Sequence, residues 1–392
     1  MINALSTEEH INLLLVEDNP GDARLIEFYL EEINDVTVDV KHVDTLALAI
    51  EALEGRNAPS DIDLVFLDLS LPDSFGMDTF EKTFEAAGGT PIIVLTGQSD
   101  HEMAVKAVQA GSEDFLIKNE LDERILSRTM RFAMERYRRR QTEAVLQSAT
   151  DELNVAARIQ LGLLPNKMPE IDGFDIAGVS FPAEKVGGDY FDFIPMYGNR
   201  LGITIGDAMG HGLGPALMMA QTRACLRSLS RMCPTVDGVL ELTNHILLEG
   251  MDDATCFVTL TLLRLDPRSK TLSYTNAGHP HGYVLSSVGE IKHHLDSTDL
   301  PLGVDPDSTF PTGDVIALSP GDVLFLYTDG VEDASVPHNP IFTNEQILSV
   351  VRDNLTKSAL DIVNALYQAV KSFCDPYPPR DDITVVALKV LD

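Results

Sequence analysis

The chain has 392 residues, too many for one ordinary core, so two domains are expected. Its 44% hydrophobic content allows packed cores, but no run approaches the ~18 apolar residues of a membrane span and no basic-then-apolar leader opens it. A formal charge of −32 would repel a nucleic-acid backbone, and the widely spaced Cys225, Cys233, Cys256 and Cys374 fit reduced thiols, so a cytoplasmic protein without nucleic-acid or membrane partners is expected.

Residues 12–16 form a short apolar run ending in Glu17-Asp18, the pattern of a buried parallel strand. Further runs at 64–67, 92–95 and 115–117 end in Asp68, Thr96 and Lys118. Helical patterns separate them, for example over 23–32 and 103–110. Alternating strand and helix predicts an α/β unit, a doubly wound parallel sheet whose functional groups gather at the strands' carboxyl ends. Glu17, Asp18, Asp68, Thr96 and Lys118 would meet there. Converging carboxylates repel, and a hard cation such as Mg²⁺ relieves this while leaving positions open to phosphate oxygens. In that setting Asp68 can attack a phosphoryl donor to form an aspartyl-phosphate, with Thr96 and Lys118 holding the new oxygens.

Over residues 11–121 the segments LLLVEDNP, VFLDLSLPD, VLTGQSD and DFLIKN resemble the response-regulator receiver family. The resemblance implies Asp68 as phosphoacceptor and a histidine kinase as partner. It implies Asp18 as a direct Mg²⁺ ligand, Glu17 acting mainly through water, and the Ser70 carbonyl as a further ligand. Thr96 and Phe115 match the family's switch pair. One departure is Asn119 after Lys118, where relatives usually carry Pro; a non-proline cis bond costs ~3 kcal/mol, which argues against a cis peptide there.

Residues 122–164 contain no Pro, and Gly only near their end, among mostly good helix formers. A helix of that length would extend ~60 Å. Met130, Met134, Tyr137, Gln141, Ala144, Ser148 and Val155 recur at a loose three-four spacing, a weak seam through which a parallel homodimer is expected. The basic run at 136–140 reads as a solvated helix face in so acidic a chain.

Beyond residue 165, strand-like runs border acids that stand beside glycine or a second acid: VGGDYFD (186–192), IGD (205–207), LFLYTDG (324–330) and DDITVV (381–386). Residues 201–205 alternate as a strand leading to Asp207, a glycine-rich turn follows, and Gly214-Pro215 opens an apolar helix. Apolar helices over 215–229 and 359–373 would cover the strands that dominate 174–304, so an α-β-β-α sandwich is expected. Convergent carboxylates without His or Cys partners select Mg²⁺ or Mn²⁺. Two such ions ~3.5–4 Å apart, sharing Asp207, can activate water for in-line attack on a phosphate ester, so no protein nucleophile is required.

These segments, with ARIQLGLLP, IGDAMGHG, NAGHP, LPLGV and LYTDGVEDA, resemble the SpoIIE/RsbU branch of the PPM metal-dependent Ser/Thr phosphatases. The resemblance implies Asp189, Asp207, the Ala208 carbonyl, Asp329 and Asp381 as metal ligands, with Asp382 beside the last. His211 and His279 fall in family motifs without an assigned role. The expected organisation is a receiver at 1–121, a helical linker at 122–164 and a phosphatase domain at 165–392. Its expected function is a two-component output enzyme: phosphorylation of Asp68 changes phosphatase activity. The resemblance implies, as substrate, a phosphorylated STAS-type anti-sigma-factor antagonist in partner-switching control of a stress sigma factor. The alternative is a non-catalytic adaptor that binds a sigma factor or anti-sigma factor; the complete set of acids favours the enzyme.

Overall fold

The alternating apolar runs of the first 121 residues build a five-stranded parallel sheet. Along the chain lie β1 (Glu9–Val16), α1 (Pro20–Glu31), β2 (Val36–Val43), α2 (Leu46–Glu54) and β3 (Leu64–Asp68). A short hairpin of β4 (Ser70–Leu71) and β5 (Ser74–Phe75) precedes α3 (Met77–Ala87), β6 (Ile92–Thr96), α4 (His101–Gln109) and β7 (Asp114–Ile117). The strand order is β2-β1-β3-β6-β7, with every neighbouring pair parallel. β3 and β6 are buried along their whole length, which is why their sequences are unbroken apolar runs. β2 was not among the expected strands. Its sequence, VTVDVKHV, alternates half-buried and exposed positions at the sheet edge, so no continuous apolar run marks it. Strand order reverses between β1 and β3, the switch point that brings the residues after β1 beside the end of β3. α1 starts abruptly there, because the Asn19 side chain accepts from Gly21 N and Pro20 occupies the first helical turn.

The computed structural model describes residues 9–33, 36–55, 62–97, 101–250, 256–335 and 341–391. The chain divides into two compact units, Met1–Ser148 and Ala149–Asp392. Among the described residues no helix is long and apolar enough to cross a membrane.

After a 3-10 turn at Lys118–Glu120 comes α5 (Glu123–Leu161). Its first turns bury Leu126, Met130, Ala133 and Met134 against Leu13, Leu15 and Leu116. Met130 and Met134, expected at the head of a dimer seam, are therefore core residues of the first unit. Their spacing is that of a helix packed on a sheet, which periodicity alone does not distinguish from a seam. The basic run is also not wholly a solvated face: Arg136 donates to the Glu113 carbonyl at 2.7 Å, and Arg140 pairs with the Glu113 carboxylate. The only cis peptide among the described residues is Asp375–Pro376, so the Lys118–Asn119 bond is trans.

The second unit opens with β8 (Phe174–Phe181), β9 (Tyr190–Met196) and β10 (Arg200–Ala208), followed by α6 (Leu213–Leu229) and α7 (Val236–Glu249). Then come β11 (Val258–Asp266), β12 (Thr271–Ala277), β13 (Gly282–Leu285), β14 (Ile291–Leu295), β15 (Ile316–Ala317) and β16 (Val323–Tyr327). The chain closes with α8 (Asp329–Glu332), α9 (Asn344–Asp353), α10 (Ala359–Cys374) and β17 (Ile383–Val390). Two antiparallel sheets form, ordered β15-β12-β11-β10-β9 and β14-β13-β16-β17-β8. Between them lies a core that includes Phe191, Ile203, Ile205, Leu263, Leu326 and Val386. On the outside, Leu226 of α6 and Leu240 of α7 cover Ile194 and Leu260, while Ile347 of α9 and Leu366 of α10 cover Phe325 and Val385. Capping boxes at Thr343/Gln346 and Ser358/Asp361 fix where α9 and α10 begin. The layers are α-β-β-α, as expected. Asp192, the last acid of VGGDYFD, is fully buried and held by Arg227 at 2.6 and 2.8 Å and by Arg223 at 3.2 Å, so it ties β9 to α6.

Met130 is 3% exposed. Met130→Ala should lower the stability of the first unit by about 2–4 kcal/mol, as expected for a core truncation. It should leave the oligomeric state unchanged. Urea unfolding read beside light scattering separates this outcome from a seam role.

Candidate functional sites

In the first unit the site is built from strand ends. β1 delivers Glu17 and Asp18, β3 ends at Asp68, and Lys118 follows β7. The Lys118 ammonium lies 2.6 Å from Asp68 Oδ2, 2.6 Å from Glu17 Oε2 and 3.3 Å from Asp22 Oδ2. Asp22, in the first turn of α1, carried no strand-end signal in the sequence. One carboxylate oxygen each from Glu17, Asp18 and Asp68 lie within 4.8 Å of one another. Glu17 and Asp68 are buried and Asp18 is exposed. Burial pushes the Glu17 carboxyl up to about 7, against the Lys118 hydrogen bond and with the charge of Asp68. Burial also works against the Lys118 ammonium, but hydrogen bonds to Asp68 and Glu17 hold it above its ordinary range. A single ammonium does not offset this many carboxylates, and the donors are hard oxygens, so the group fits a cation such as Mg²⁺.

The remaining residues expected here are close by. Ser70 N donates to Asp68 Oδ1 at 3.0 Å. Asp68 pairs with Leu95 across β3 and β6, which puts Thr96 one residue beyond it. The buried Thr96 hydroxyl donates to the Gly97 carbonyl at 3.1 Å. Phe115, half-buried on β7, meets the His101 ring edge-on, with centroids 5.3 Å apart and planes at 73°.

In the second unit β10 carries Asp207 and Ala208 to its end, and Asp329, Asp381 and Asp382 arrive from the segments after β16 and before β17. Asp207, Asp329, Asp381 and Asp382 line one cleft of about 480 Å³, which His211 and Thr259 also reach. Asp189 is buried behind them, held by Thr328, whose hydroxyl donates to Asp189 Oδ2 at 2.7 Å. Asp382 Oδ1 accepts from Ala183 N at 2.7 Å, and Asp381 Oδ1 from Asp382 N at 2.8 Å.

Two glycines set how tightly these segments meet. A Cβ at Gly187 would stand 2.0 Å from Asp382 Oδ2; one at Gly188 would stand 2.5 Å from the Ala208 carbonyl oxygen and 2.7 Å from Asp207 Oδ1. Only backbone without a side chain can approach so closely. The same loop is gripped from α5. The Gln160 amide donates from Nε2 to the Gly187 carbonyl at 2.5 Å and accepts from Gly187 N at 3.1 Å.

Burial and neighbouring charge raise Asp189, Asp207, Asp329 and Asp382 together. Burial, then the Asp207 charge, holds Asp189 well above the usual carboxylate range. Burial, with Asp329 and Asp381 behind it, pushes Asp207 up to about 7. Asp329 rises to about 6 through burial and Asp381, and burial raises Asp382. Carboxylates and a carbonyl that disfavour one another's charge form a donor set that fits hard divalent cations.

The two histidines differ. His211 is exposed at the cleft rim, 3.5 Å from Glu184. His279 is buried, its Nδ1 2.9 Å from Thr259 Oγ1, and burial pushes its imidazole down to about 3, so the ring is neutral. The structure thus gathers Asp207, Asp329, Asp381 and Asp382 on one cleft with Asp189 buried beside Asp207, and Glu17, Asp18, Asp68 and Lys118 in one cluster, while Thr96 bonds the Gly97 carbonyl and Phe115 packs on His101. Gln160 and Thr328 were not singled out, although both lie in segments the sequence marks, ARIQLGLLP and LYTDG.

Comparison with known proteins gives these two sites their family. Residues 13–130 match the response regulator receiver domain family, and residues 197–391 match the Stage II sporulation protein E (SpoIIE) family. The chain joins a receiver to a SpoIIE-type phosphatase domain. Protein IcfG of Synechocystis sp. (strain ATCC 27184 / PCC 6803 / Kazusa) is 31% identical over 263 residues, 60% of this chain and 41% of IcfG. Phosphoserine phosphatase RsbU of Bacillus subtilis (strain 168) is 26% identical over 254 residues, 64% of this chain and 74% of RsbU. The chain thus spans less than half the length of IcfG. The solved SiaA-PP2C domain of Pseudomonas aeruginosa superposes with a TM-score of 0.56 at 22% identity, covering 64% of this chain and 99% of that one. That likeness is one of fold.

Two outcomes follow from the phosphatase geometry. A carboxyl whose pKa is raised by folding stabilises the fold at low pH and loses that contribution as pH climbs through the folded value. With divalent ions chelated, the melting temperature of the phosphatase domain should therefore fall as pH rises from 3.8 to about 7, the span set by Asp207. Mn²⁺, or Asp207→Asn without it, should flatten that slope in scanning fluorimetry. Gln160→Leu should weaken Mn²⁺ binding by roughly 10–100-fold in calorimetry while leaving the circular dichroism spectrum unchanged, as for other groups that orient a metal site from behind.

Proposed function

We propose that the chain is a phosphorylation-controlled, Mg²⁺- or Mn²⁺-dependent protein-serine/threonine phosphatase of the cytoplasm. The observation that carries this reading is the convergence of Asp207, Asp329 and Asp381 on one cleft, with the buried Asp189 hydrogen-bonded to Asp207, all of them oxygen donors. Bound divalent cations supply an activated water and charge neutralisation for in-line displacement at phosphorus. Asp207, Asp329, Asp381 and the Ala208 carbonyl would hold those ions, joined by Asp189, whose orientation Thr328 sets. Gly188 lets the loop that carries Asp189 close onto Ala208.

At the receiver, an Asp68 oxygen forms a bond to the phosphorus of a kinase phosphohistidine as the N–P bond breaks. Glu17, Asp18 and the Ser70 carbonyl would hold Mg²⁺ there. Lys118 is already hydrogen-bonded to Asp68 and takes a phosphoryl oxygen, while Thr96 turns from the Gly97 carbonyl toward another. The first turns of α5 belong with the receiver core, and the helix ends in the Gln160 grip on Gly187, so displacement of α5 acts on the loop that carries Asp189. Allosteric couplings of ~1–3 kcal/mol correspond to roughly 5–150-fold, a graded change in rate.

The likeness to RsbU, a phosphoserine phosphatase by name, supports a phosphoserine as substrate; a small STAS-type protein as its carrier is what the resemblance to the SpoIIE/RsbU branch implies. Val145, Leu146, Leu153, Val155 and Ile159 of α5 are exposed, and Leu146 and Leu153 lie one heptad apart, which supports a homodimer along the second half of the helix.

The test uses the full chain with Mn²⁺, an aryl phosphate and a phosphorylated STAS protein. Wild type should release phosphate from both, Asp207→Asn should release none, and light scattering should show a dimer. Beryllofluoride should change the wild-type rate and leave Asp68→Ala unaffected. A wild-type protein that binds Mn²⁺ and hydrolyses neither substrate would be an adaptor instead.

A further inference from the structure

The phosphatase cleft is lined by acids, with one exception. Of the charged side chains there, Glu184, Asp207, Asp329, Asp381 and Asp382 are acidic, and Arg380 is the single permanent cation among the described residues. Arg380 stands directly before Asp381 and Asp382, yet among the described residues it makes no ion pair and no hydrogen bond with them. Its backbone is nonetheless anchored. Asp382 is buried with its carboxylate bonded to Ala183 N, and β17 begins one residue later, paired at Ile383 with Phe181. An exposed arginine therefore lines the cleft, with no hydrogen bond or ion pair to its guanidinium among the described residues.

We propose that Arg380 binds the phosphate of the substrate, which rests on the phosphatase reading above. A phosphomonoester brings two negative charges to a cleft whose acids, in a chain of net charge −32, repel it. The carboxylates would hold the cations, so the phosphate's remaining oxygens still need donors. A planar guanidinium offers two parallel N–H groups to such oxygens and keeps its charge at any working pH. Arg380 is the cleft group that can do both. Because it reads the phosphate and not the chain attached to it, it acts on every phosphomonoester the enzyme accepts.

The experiment compares wild type, Arg380→Ala and Arg380→Lys as full chains loaded with Mn²⁺. KM for an aryl phosphate and for a phosphoserine peptide should both rise by about tenfold to a hundredfold in Arg380→Ala, the size of a charged hydrogen bond. Turnover number and Mn²⁺ affinity should stay near wild type, and Arg380→Lys should recover part of the loss. Inorganic phosphate, titrated calorimetrically, should lose affinity in parallel. A KM that rises for the peptide alone would place Arg380 on the peptide and overturn the proposal. Lost Mn²⁺ affinity would make it a support for Asp381 and overturn it equally. Unchanged KM and phosphate affinity in an active enzyme would refute it outright. Wild type that binds phosphate through Arg380 but hydrolyses no ester would leave the arginine site standing and remove the phosphatase reading, and wild type that does neither would remove both.

Discussion

Carboxylates crowd together against their own charge at both sites of this chain, and the two domains manage that repulsion differently. In the receiver the cluster contains its own counter-ion, because Lys118 reaches Asp68 and Glu17 at 2.6 Å each. In the phosphatase domain burial and neighbouring acids push Asp207 up to about 7 and Asp329 to about 6. Lys118 offsets only part of the repulsion in the first cluster, where Glu17 is still pushed up to about 7; in the second, among the described residues, no ammonium sits with the acids of the cleft. That difference follows from strand topology. A parallel sheet delivers β7 beside β6 and so places Lys118 near the acids, whereas the antiparallel sandwich gathers chain turns in which acids and glycines alternate.

The crowding also dictates the backbone. Gly187 and Gly188 lie where any side chain would strike Asp382, Asp207 or the Ala208 carbonyl, so the VGGD loop owes its place to missing atoms. Once that loop is seated, Asp189 is carried behind the cleft and Thr328 fixes its orientation. Asp192, three residues further, is turned the other way and spent on Arg227 and Arg223. Two acids in one short motif thus have opposite duties, one held in a repulsive cluster and one neutralised in the core.

Most of this was legible from the sequence because strand ends and acid–glycine pairs are local features. Glu17, Asp68, Thr96 and Lys118 each close an apolar run, and Asp189, Asp207 and Asp329 each sit beside glycine. What was not legible depends on packing partners distant in sequence. β2 is an edge strand with an alternating pattern, so it shows no continuous apolar run. Met130 and Met134 have a periodicity that suits either a dimer seam or a sheet, and only the presence of Leu13 and Leu116 beneath them decides it. Gln160 is one amide in a helix, and nothing local announces that its partner is the backbone of Gly187, 27 residues away.

If the receiver acts on the cleft through α5, as proposed above, that last contact bounds the effect. Gln160 holds Gly187 by two hydrogen bonds in a partly buried setting. Neutral hydrogen bonds contribute about 0.5–1.5 kcal/mol each, so the grip is worth about 1–3 kcal/mol when both bonds are counted. A signal that reaches the loop by making or breaking this grip cannot transmit more than the grip itself holds. A near-complete two-way switch would need ~5.5 kcal/mol, about twice the upper end of that range. All-or-none control would therefore require a second coupled element, such as association of two α5 helices, acting together with the amide. With the grip alone, the control proposed here is that of a rheostat.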